Sequence, residues 1–239
     1  MTMNRSTLRV AVLSATLAAG IAVALPSGAS AEVRTGWIGP TPPVGGIVYL
    51  HTSTIDNGGV PKASTRIYTS FGQTVVQGTI GSKARLFREG ALCSATDYQF
   101  NAFLSSSQNA TVQRDCGPGF YNSHGFVATF PPGGSLTEYV TFPSDPLQYA
   151  PASARSAAPA AQTESGMNTS GQTYGSALNA ESDADLPELV SAVGTNGVDG
   201  YIRSSDLTDP TPDDAGSRSV PVYDISGETV VDQFAIEGS

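Results

Sequence analysis

The residue types that bind zinc are few in this chain and are not spaced for it. His51 and His124 are the only two histidines. A zinc site would need both, together with a carboxylate such as Asp56 or Asp115, and their spacing matches no zinc motif. We therefore expect both histidines to be structural or to lie at the surface, and we expect no bound metal and no cofactor.

Two cysteines, Cys93 and Cys116, offer the next possible chemistry. They can form a disulfide, or Cys116 can act as a thiolate nucleophile with His124 as its base. An even number of cysteines favours the disulfide in an exported chain, which the N-terminal residues described below indicate. The loop-closure model gives such a bond about 3 kcal/mol of stabilisation. We predict a Cys93–Cys116 disulfide.

A calcium-binding loop is a possible interpretation of residues 195–206. Four residues fit positions of an EF-hand loop: Asp199, Gly200, Ile202 and Asp206. Thr195 and Gly197, however, stand at the first and third positions, where such a loop carries oxygen ligands. A turn between a helix and a strand explains the glycines equally well, so we predict a turn here.

Hydrolytic chemistry has no recognisable motif in this sequence. The chain contains no Gly-x-Ser-x-Gly segment, which a serine hydrolase of the α/β type would need. A glycosidase needs two carboxylates about 5–10 Å apart, and the sequence alone does not pair any two acids. No catalytic residue is assigned, and an exported hydrolase stays an open alternative.

Aromatic side chains are the remaining candidates for ligand contact. The rings of Trp37, Phe120 and Tyr121 could stack on sugar rings in a carbohydrate-binding β-domain. Tyr98 has the alternating spacing of an inward-facing core residue instead. We therefore take Trp37, Phe120 and Tyr121 as the candidate ligand-contact residues.

Residues 32–143 have the pattern of a β-domain that would position these side chains. Short runs rich in β-branched and aromatic residues alternate with Gly-, Pro-, Ser- and Asn-rich turns. The candidate strands are 46–52, 65–70, 73–80, 83–88, 97–104, 110–114, 124–130 and 136–142. Alternation assigns two sets of residues to inward faces: Tyr98, Phe100, Ala102 and Leu104, then Phe126, Ala128 and Phe130. The sequence predicts a disulfide-tied antiparallel β-sandwich or small barrel.

The rest of the chain differs in composition. Residues 144–166 are rich in Ala, Pro and Ser, which is typical of a linker. Residues 167–239 predict a small acidic α+β module. Its helix is predicted from the helical spacing of Leu186, Leu189, Val190 and Val193. Its strands are predicted at 200–203, 220–223 and 229–234, the last two forming a hairpin.

The first 31 residues have the layout of a secretory signal peptide. Arg5 and Arg9 precede an apolar run from Val10 to Leu25, and Ala29-Ser30-Ala31 supplies a cleavage site. The apolar run is too short for a good membrane anchor. We predict cleavage after Ala31, a secreted, extracellular protein, and no membrane anchor afterwards.

The charge of the chain is unevenly distributed. Residues 32–166 hold equal numbers of acidic and basic residues, whereas residues 167–239 hold 13 acidic residues against Arg203 and Arg218. An acidic segment of this kind repels phosphate backbones, so we expect no nucleic-acid partner. It is typical of a solvated module that its charge keeps soluble.

Several motifs of the last third form one ordered series. They are 168–176 (NTSGQTYGS), 185–190 (DLPELV), 194–197 (GTNG), 200–203 (GYIR), 205–207 (SDL), 220–224 (VPVYD) and 227–231 (GETVV). The series, at about 168–236, resembles a module of uncharacterised exported proteins of Gram-positive bacteria. The resemblance implies export and no particular activity. No family is recognised for the N-terminal domain.

Together these patterns favour a secreted, non-enzymatic protein of two parts. Its partner would be a cell-wall polymer, a polysaccharide or an extracellular protein. Two alternatives stay open, which are an exported hydrolase with a carboxylate site and a purely structural accessory protein.

Overall fold

The computed structural model describes residues 31–150, 164–208 and 216–238. The predicted signal peptide lies outside them except for Ala31, and so do residues 151–163 of the predicted linker. The prediction of a mainly β protein is confirmed, since the described residues form mostly antiparallel sheets with little helix. No helix in these three ranges is long and apolar enough to cross a membrane.

Nineteen strands and three short helices are found in the described ranges. The strands are β1 (Val33–Thr35), β2 (Gly39–Pro40), β3 (Tyr49–Asp56), β4 (Lys62–Thr69), β5 (Ile80–Lys83), β6 (Arg85–Arg88), β7 (Ala91–Thr96), β8 (Gln99–Phe100), β9 (Ser107–Gln113), β10 (Gly119–Ser123), β11 (Phe126–Thr129), β12 (Thr137–Val140), β13 (Leu147–Tyr149), β14 (Gly166–Met167), β15 (Thr173–Gly175), β16 (Leu189–Val193), β17 (Asp199–Arg203), β18 (Arg218–Tyr223) and β19 (Val230–Glu237). The α-helix α1 spans Ser204–Thr208, and 3₁₀ helices span Ala177–Asn179 and Asp183–Asp185. The pairs β7–β16, β7–β19 and β15–β16 are parallel.

The front sheet has the order β1-β3-β4-β9, with β2 also paired to β3. Along β3 and β4, buried residues alternate with partly exposed ones. Because side chains of a strand point to opposite faces in turn, one face of this sheet packs inward and the other is open. Its inward residues include Tyr49, Ile55 and Ile67.

The front sheet packs on a second layer that is bent. One half of that layer has the order β13-β10-β6-β7, and the other has the order β12-β11-β5-β8. Ala84 separates β5 from β6, and His124 with Gly125 separates β10 from β11. Two apolar clusters fill the space between the layers, one around Ile55 and Leu86 and one around Ile67 and Val127. The bend brings polar side chains from both halves to one place.

The last four strands form a meander, β16-β17-β18-β19, whose two ends meet the same strand of the N-terminal part. Ala192 of β16 pairs with Leu92 of β7, and Ile236 of β19 pairs with Ala95 of β7. The pairings therefore close a ring of five strands that includes β7. The ring encloses an apolar cluster that includes Phe87, Leu92, Val190, Ile202, Val222 and Phe234.

Ion pairs reinforce this connection between the two parts of the chain. Three of them join an N-terminal residue to a C-terminal residue: Lys83–Asp183 (2.9 Å), Arg88–Asp199 (3.0 Å) and Arg218–Asp97 (3.0 Å). Part of the acidic excess of the last third is thus neutralised within the fold, whereas the sequence predicted a solvated acidic module.

The predicted disulfide is confirmed. Cys93 of β7 is bonded to Cys116 in the segment after β9, with 6.1 Å between their Cα atoms. Both residues are buried in the cluster between the two layers. The bond links the segment after β9 of the front sheet to β7, the strand with which both ends of the C-terminal meander pair. Because Cys116 is bonded to Cys93, it is not a free thiolate nucleophile.

The predicted helix around Leu189 is wrong. Leu189, Val190 and Val193 belong to β16, whose five residues are all buried. A strand buried on both faces gives an unbroken apolar run, and such a run imitates helical spacing in sequence. Among the described residues of the C-terminal part, the regular structure is therefore mainly β, and α1 has only five residues.

Several further predictions of local structure differ from the observed fold. Residues 73–79 of the predicted strand 73–80 form a loop, and Phe130, predicted to face inward, is 48% exposed. In the predicted strand 97–104 only Gln99–Phe100 is a strand, and Leu104 is exposed rather than inward. The side chain of Asn101 donates to the carbonyl oxygens of Val76 and Phe103, which turns the chain away from the sheet. Within the predicted linker, Leu147–Tyr149 forms β13 and pairs with β10.

Candidate binding face

The three candidate aromatic residues lie in different environments. Trp37 is 83% exposed between β1 and β2, and Phe120 is 49% exposed in β10. Tyr121 is fully buried, and its hydroxyl donates to the Gly117 carbonyl oxygen at 2.5 Å. Because neighbours in a strand point to opposite faces, Phe120 and Tyr121 cannot share one surface. Tyr121 is a core residue in this structure, and Trp37 alone belongs to the front sheet.

The open face of the front sheet carries a row of hydroxyl groups across four strands. Thr35, Thr54, Ser64 and Thr111 are successive Cα partners on β1, β3, β4 and β9. The Oγ1 atoms of Thr35 and Thr54 are 3.0 Å apart, and Ser64 Oγ lies 3.1 Å from Thr111 Oγ1. Hydroxyls both donate and accept hydrogen bonds, so this row can satisfy either kind of group on a ligand.

A second row lies beside the first and adds cationic and amide groups. Thr52, Arg66 and Asn109 are partners across β3, β4 and β9. The guanidinium of Arg66 lies 4.9 Å from the centre of the Tyr68 ring, which orients both side chains on the open face. We call these residues, with the hydroxyl row and Trp37, the front face.

Trp37 is held at the margin of the front face by its neighbour Gly36. The Gly36 N–H donates to the Ser53 carbonyl oxygen at 2.8 Å, and its carbonyl oxygen accepts from Thr52 Oγ1 at 3.1 Å. A Cβ atom on Gly36 would overlap the carbonyl oxygen of Phe142. Glycine therefore permits the close approach that fixes the backbone before Trp37.

An open polar depression adjoins the front face at the turn between β3 and β4. It has a volume of about 270 Å³, and Asp56, Lys62 and Gln113 line it together with residues 58–60. Lys62 Nζ lies 3.0 Å from Asp56 Oδ2. The pKa of Asp56 is lowered by the Gly58 N–H that it accepts and by Lys62. Asp56 is the one acidic side chain in this lining, so the two carboxylates of a glycosidase are not found there.

A second group of polar residues lies buried at the bend of the second layer. Lys83 Nζ donates to both carboxylate oxygens of Asp183, at 2.9 and 3.1 Å. The hydroxyl of Tyr98 donates to Glu138 Oε2, and Glu138 Oε1 accepts the backbone N–H of Asp183 at 3.0 Å. Burial, followed by the charge of Glu138, raises the pKa of Tyr98, which keeps its hydroxyl protonated as a donor.

Arg85 and His124 complete this group, which we call the junction cluster. Arg85 Nε donates to the His124 carbonyl oxygen at 2.8 Å, and Arg85 packs 3.9 Å from the centre of the Phe126 ring. Burial lowers the pKa of Arg85 to about 10, against the opposing effect of Asp183. Burial, and then Arg85, lowers the pKa of His124 to about 4, so its ring is neutral near pH 7.

The junction cluster has no room for a substrate. The space lined by Lys83, Arg85 and Asp183 has a volume of about 10 Å³, which is the size of one water molecule. Ligand pockets are commonly some 300–1,000 Å³. The cluster instead fixes the segment around Asp183 against the bent layer.

The residues considered for zinc and calcium binding lie in separate parts of the structure. His51 lies on β3 with its ring 6.5 Å from that of Tyr139, and burial lowers its pKa. The residues of the calcium hypothesis are divided among a turn, β17 and α1. That turn is closed by Asp232, which accepts the N–H of Asn196 at 3.0 Å. No group of three or more metal-ligating side chains occurs in the described part of the chain.

Sequence reasoning missed most of the front face. Arg66, Tyr68, Asn109 and Thr111 were not singled out, although alternation in residues 62–69 and 107–113 does place them on one side of their strands. Their assembly depends on the pairing of β4 with β9, which are separated by more than 35 residues. No protein-family model, curated protein or solved structure matches this chain.

Proposed function

We propose that this protein is secreted and non-enzymatic, and that it binds an uncharged polysaccharide of the cell wall or extracellular matrix through the front face. In this proposal the packed layers form a β-sandwich, and the closed ring around β7 forms a small barrel attached to it. The signal-peptide pattern of residues 1–31 and the resemblance of the last third to exported modules support an extracellular site of action.

One observation carries the proposal, namely that Trp37 is 83% exposed at the margin of an open sheet face lined with hydroxyl and amide groups. Tryptophan buries a large area when it contacts a ligand, and Trp37 is exposed together with its neighbour Ile38, which is 58% exposed. A sugar ring has an apolar face for stacking and hydroxyls at its edge. The hydroxyl row and Asn109 supply matching donors and acceptors.

The charges of the front face favour an uncharged polymer. Asp56 and Lys62 neutralise each other at the depression. Arg66 adds one positive charge to the face, and its guanidinium lies against the ring of Tyr68. A strongly anionic polymer would also be repelled by the net negative charge of the chain, which is −9.

The hydrolase alternative receives less support. Glu138 and Asp183 approach each other, since Glu138 accepts the Asp183 N–H, but both are committed to Tyr98 and Lys83. The space beside them is far smaller than a sugar ring. A pair of carboxylates that faces an open cleft would favour that alternative, and neither the depression nor the junction cluster contains one.

The test is retention of residues 31–239 on a panel of insoluble, uncharged polysaccharides and on isolated cell wall. This chain holds every described residue and omits the apolar leader. Trp37→Ala should reduce retention by about tenfold or more, since tryptophan is among the residue types that contribute most to binding when they are truncated. Its melting temperature should stay unchanged, because the ring is exposed.

Phe120→Ala is the matched control, since it removes a half-exposed ring that lies off the front face. It should bind as the unmodified chain does. Equal retention of Trp37→Ala and the unmodified chain would exclude the front face as the binding surface. Absence of retention on every polymer would overturn the proposal.

A further inference from the structure

Four loops meet at one end of the two packed layers, and none of them contains an ionisable side chain. They are residues 41–48, 70–79, 101–106 and 130–136. Backbone hydrogen bonds join them in sequence: Ser70 N–H to Val48 O (3.0 Å), Val75 N–H to Ser105 O (2.9 Å) and Phe130 N–H to Thr79 O (2.7 Å). We call this set of loops the apolar end.

Large apolar side chains project from three of these loops. Their exposed fractions are 86% for Phe71, 81% for Phe103, 68% for Leu104, 50% for Leu136, 49% for Val76 and 48% for Phe130. Single exposed hydrophobic residues are common, but six together without a charge among them are unusual for a water-facing surface. Such a concentration indicates a surface that leaves water when it binds its partner.

Several backbone groups of the apolar end are hydrogen-bonded within it. Val44 and Ile47 exchange both of their backbone hydrogen bonds, and Val75 and Ser105 do the same. The Asn101 side chain satisfies Ile80 N–H, Val76 O and Phe103 O. Pro131 and Pro132 have no N–H groups to satisfy. A paired backbone group costs less to move towards the apolar side of an interface than an unpaired one.

We propose that the apolar end inserts peripherally into the interface of a lipid bilayer. The rim of a protein interface is polar and commonly charged, whereas the four loops contain no charged residue. Here the side chains project from separate loops, as suits insertion between lipid headgroups, with the rings of Phe71 and Phe103 reaching the acyl boundary. This surface is distinct from the front face, so lipid insertion and polymer binding are separable.

The absence of basic residues from the apolar end determines which lipids it binds. Attachment to anionic lipids depends on lysine or arginine near the surface and weakens with salt. The four loops contain neither residue, and the chain carries a net charge of −9. Insertion therefore requires no anionic lipid, is favoured on uncharged bilayers, and does not weaken in salt.

The experiment is flotation of residues 31–239 with phosphatidylcholine vesicles, at low salt and at about 1 M salt. The chain should float with the vesicles equally well in both. The double variant Phe71→Ser/Phe103→Ser should lower the partition coefficient by about tenfold or more, because two apolar side chains no longer leave water. Phe120→Ser, which removes a ring outside the apolar end, should leave the coefficient unchanged.

Three results would overturn the proposal. The first is failure of the chain to float with uncharged vesicles, and the second is equal flotation of the double variant. The third is binding that needs phosphatidylglycerol and disappears in salt, which would indicate attachment through a basic surface. Sedimentation velocity without lipid tests a different partner. A dimer that the unmodified chain forms and the double variant does not form would mean that the apolar end binds a second copy of this chain.

Discussion

Two lysine–aspartate pairs with nearly the same geometry have different roles in this protein. Lys83 and Asp183 are 2.9 Å apart in the junction cluster, and Lys62 and Asp56 are 3.0 Å apart beside the front face. The Lys83 side chain is 7% exposed, whereas that of Lys62 is 41% exposed. Distance is therefore a poor guide to what an ion pair contributes, and burial decides between a structural and a surface role.

The junction pair joins distant parts of the chain, and the surface pair closes a local hairpin. Asp183 belongs to the segment that precedes the C-terminal meander, while Lys83 lies on β5 of the second layer. Asp56 and Lys62 are opposite one another at the turn between β3 and β4. Loss of the first pair should destabilise the packing of the C-terminal part on the rest of the chain. Loss of the second pair should change the structure only locally, beside the front face.

The largest effect is expected from Asp183→Asn. This change leaves the buried ammonium of Lys83 without its counter-charge, which costs about 3–5 kcal/mol in comparable buried pairs. Urea unfolding followed by circular dichroism measures the loss. A loss below 1 kcal/mol would remove the contrast with the surface pair.

The double change Lys83→Met/Asp183→Leu is the control for this effect. It removes both charges and fills the space with apolar atoms, so it should cost less than Asp183→Asn alone. A larger cost for the double change would mean that the two residues contribute through packing rather than through their charges.

His124 adds a pH-dependent contribution to the junction cluster. Its folded pKa is about 4, below the ordinary 6.5, so the folded state binds fewer protons than the unfolded chain between these values. Stability should be highest above about pH 6.5 and should fall by about 3 kcal/mol as the pH decreases to 4. Urea unfolding at a series of pH values measures this slope.

His124→Gln tests the assignment of that slope. The variant should show a clearly smaller loss of stability over the same range. Some slope should remain, because burial also lowers the pKa of His51, which contributes with the same sign. Identical slopes for the variant and the unmodified chain would exclude His124 as the source.

The smallest effect is expected from Asp56→Asn, the counterpart of Asp183→Asn at the surface. Because this pair is solvated, its loss should cost less than about 1 kcal/mol, and that cost should shrink further in salt. Parallel urea titrations of the two variants give the comparison directly. A cost equal to that of Asp183→Asn would mean that burial does not separate the two pairs.

Much of the β-structure could be predicted from local sequence. The strands predicted at 46–52 and 65–70 overlap β3 and β4, and Cys93 with Cys116 indicates a disulfide in an exported chain. The candidate site was predicted only at Trp37. Phe120 and Tyr121 were selected by residue type, and type does not distinguish an exposed ring from the buried ring of Tyr121.

The β class, the disulfide and the acidic character of residues 167–239 could be read from the sequence alone. They depend on residue composition, on alternation along single strands and on the number of cysteines. Pairings between distant segments make β16 a strand, close the C-terminal ring through β7, and bring Arg66, Asn109 and Thr111 to one face of the front sheet. The physical reason is that an apolar run is buried equally well in a helix or in a central strand, and partners distant in sequence decide between them.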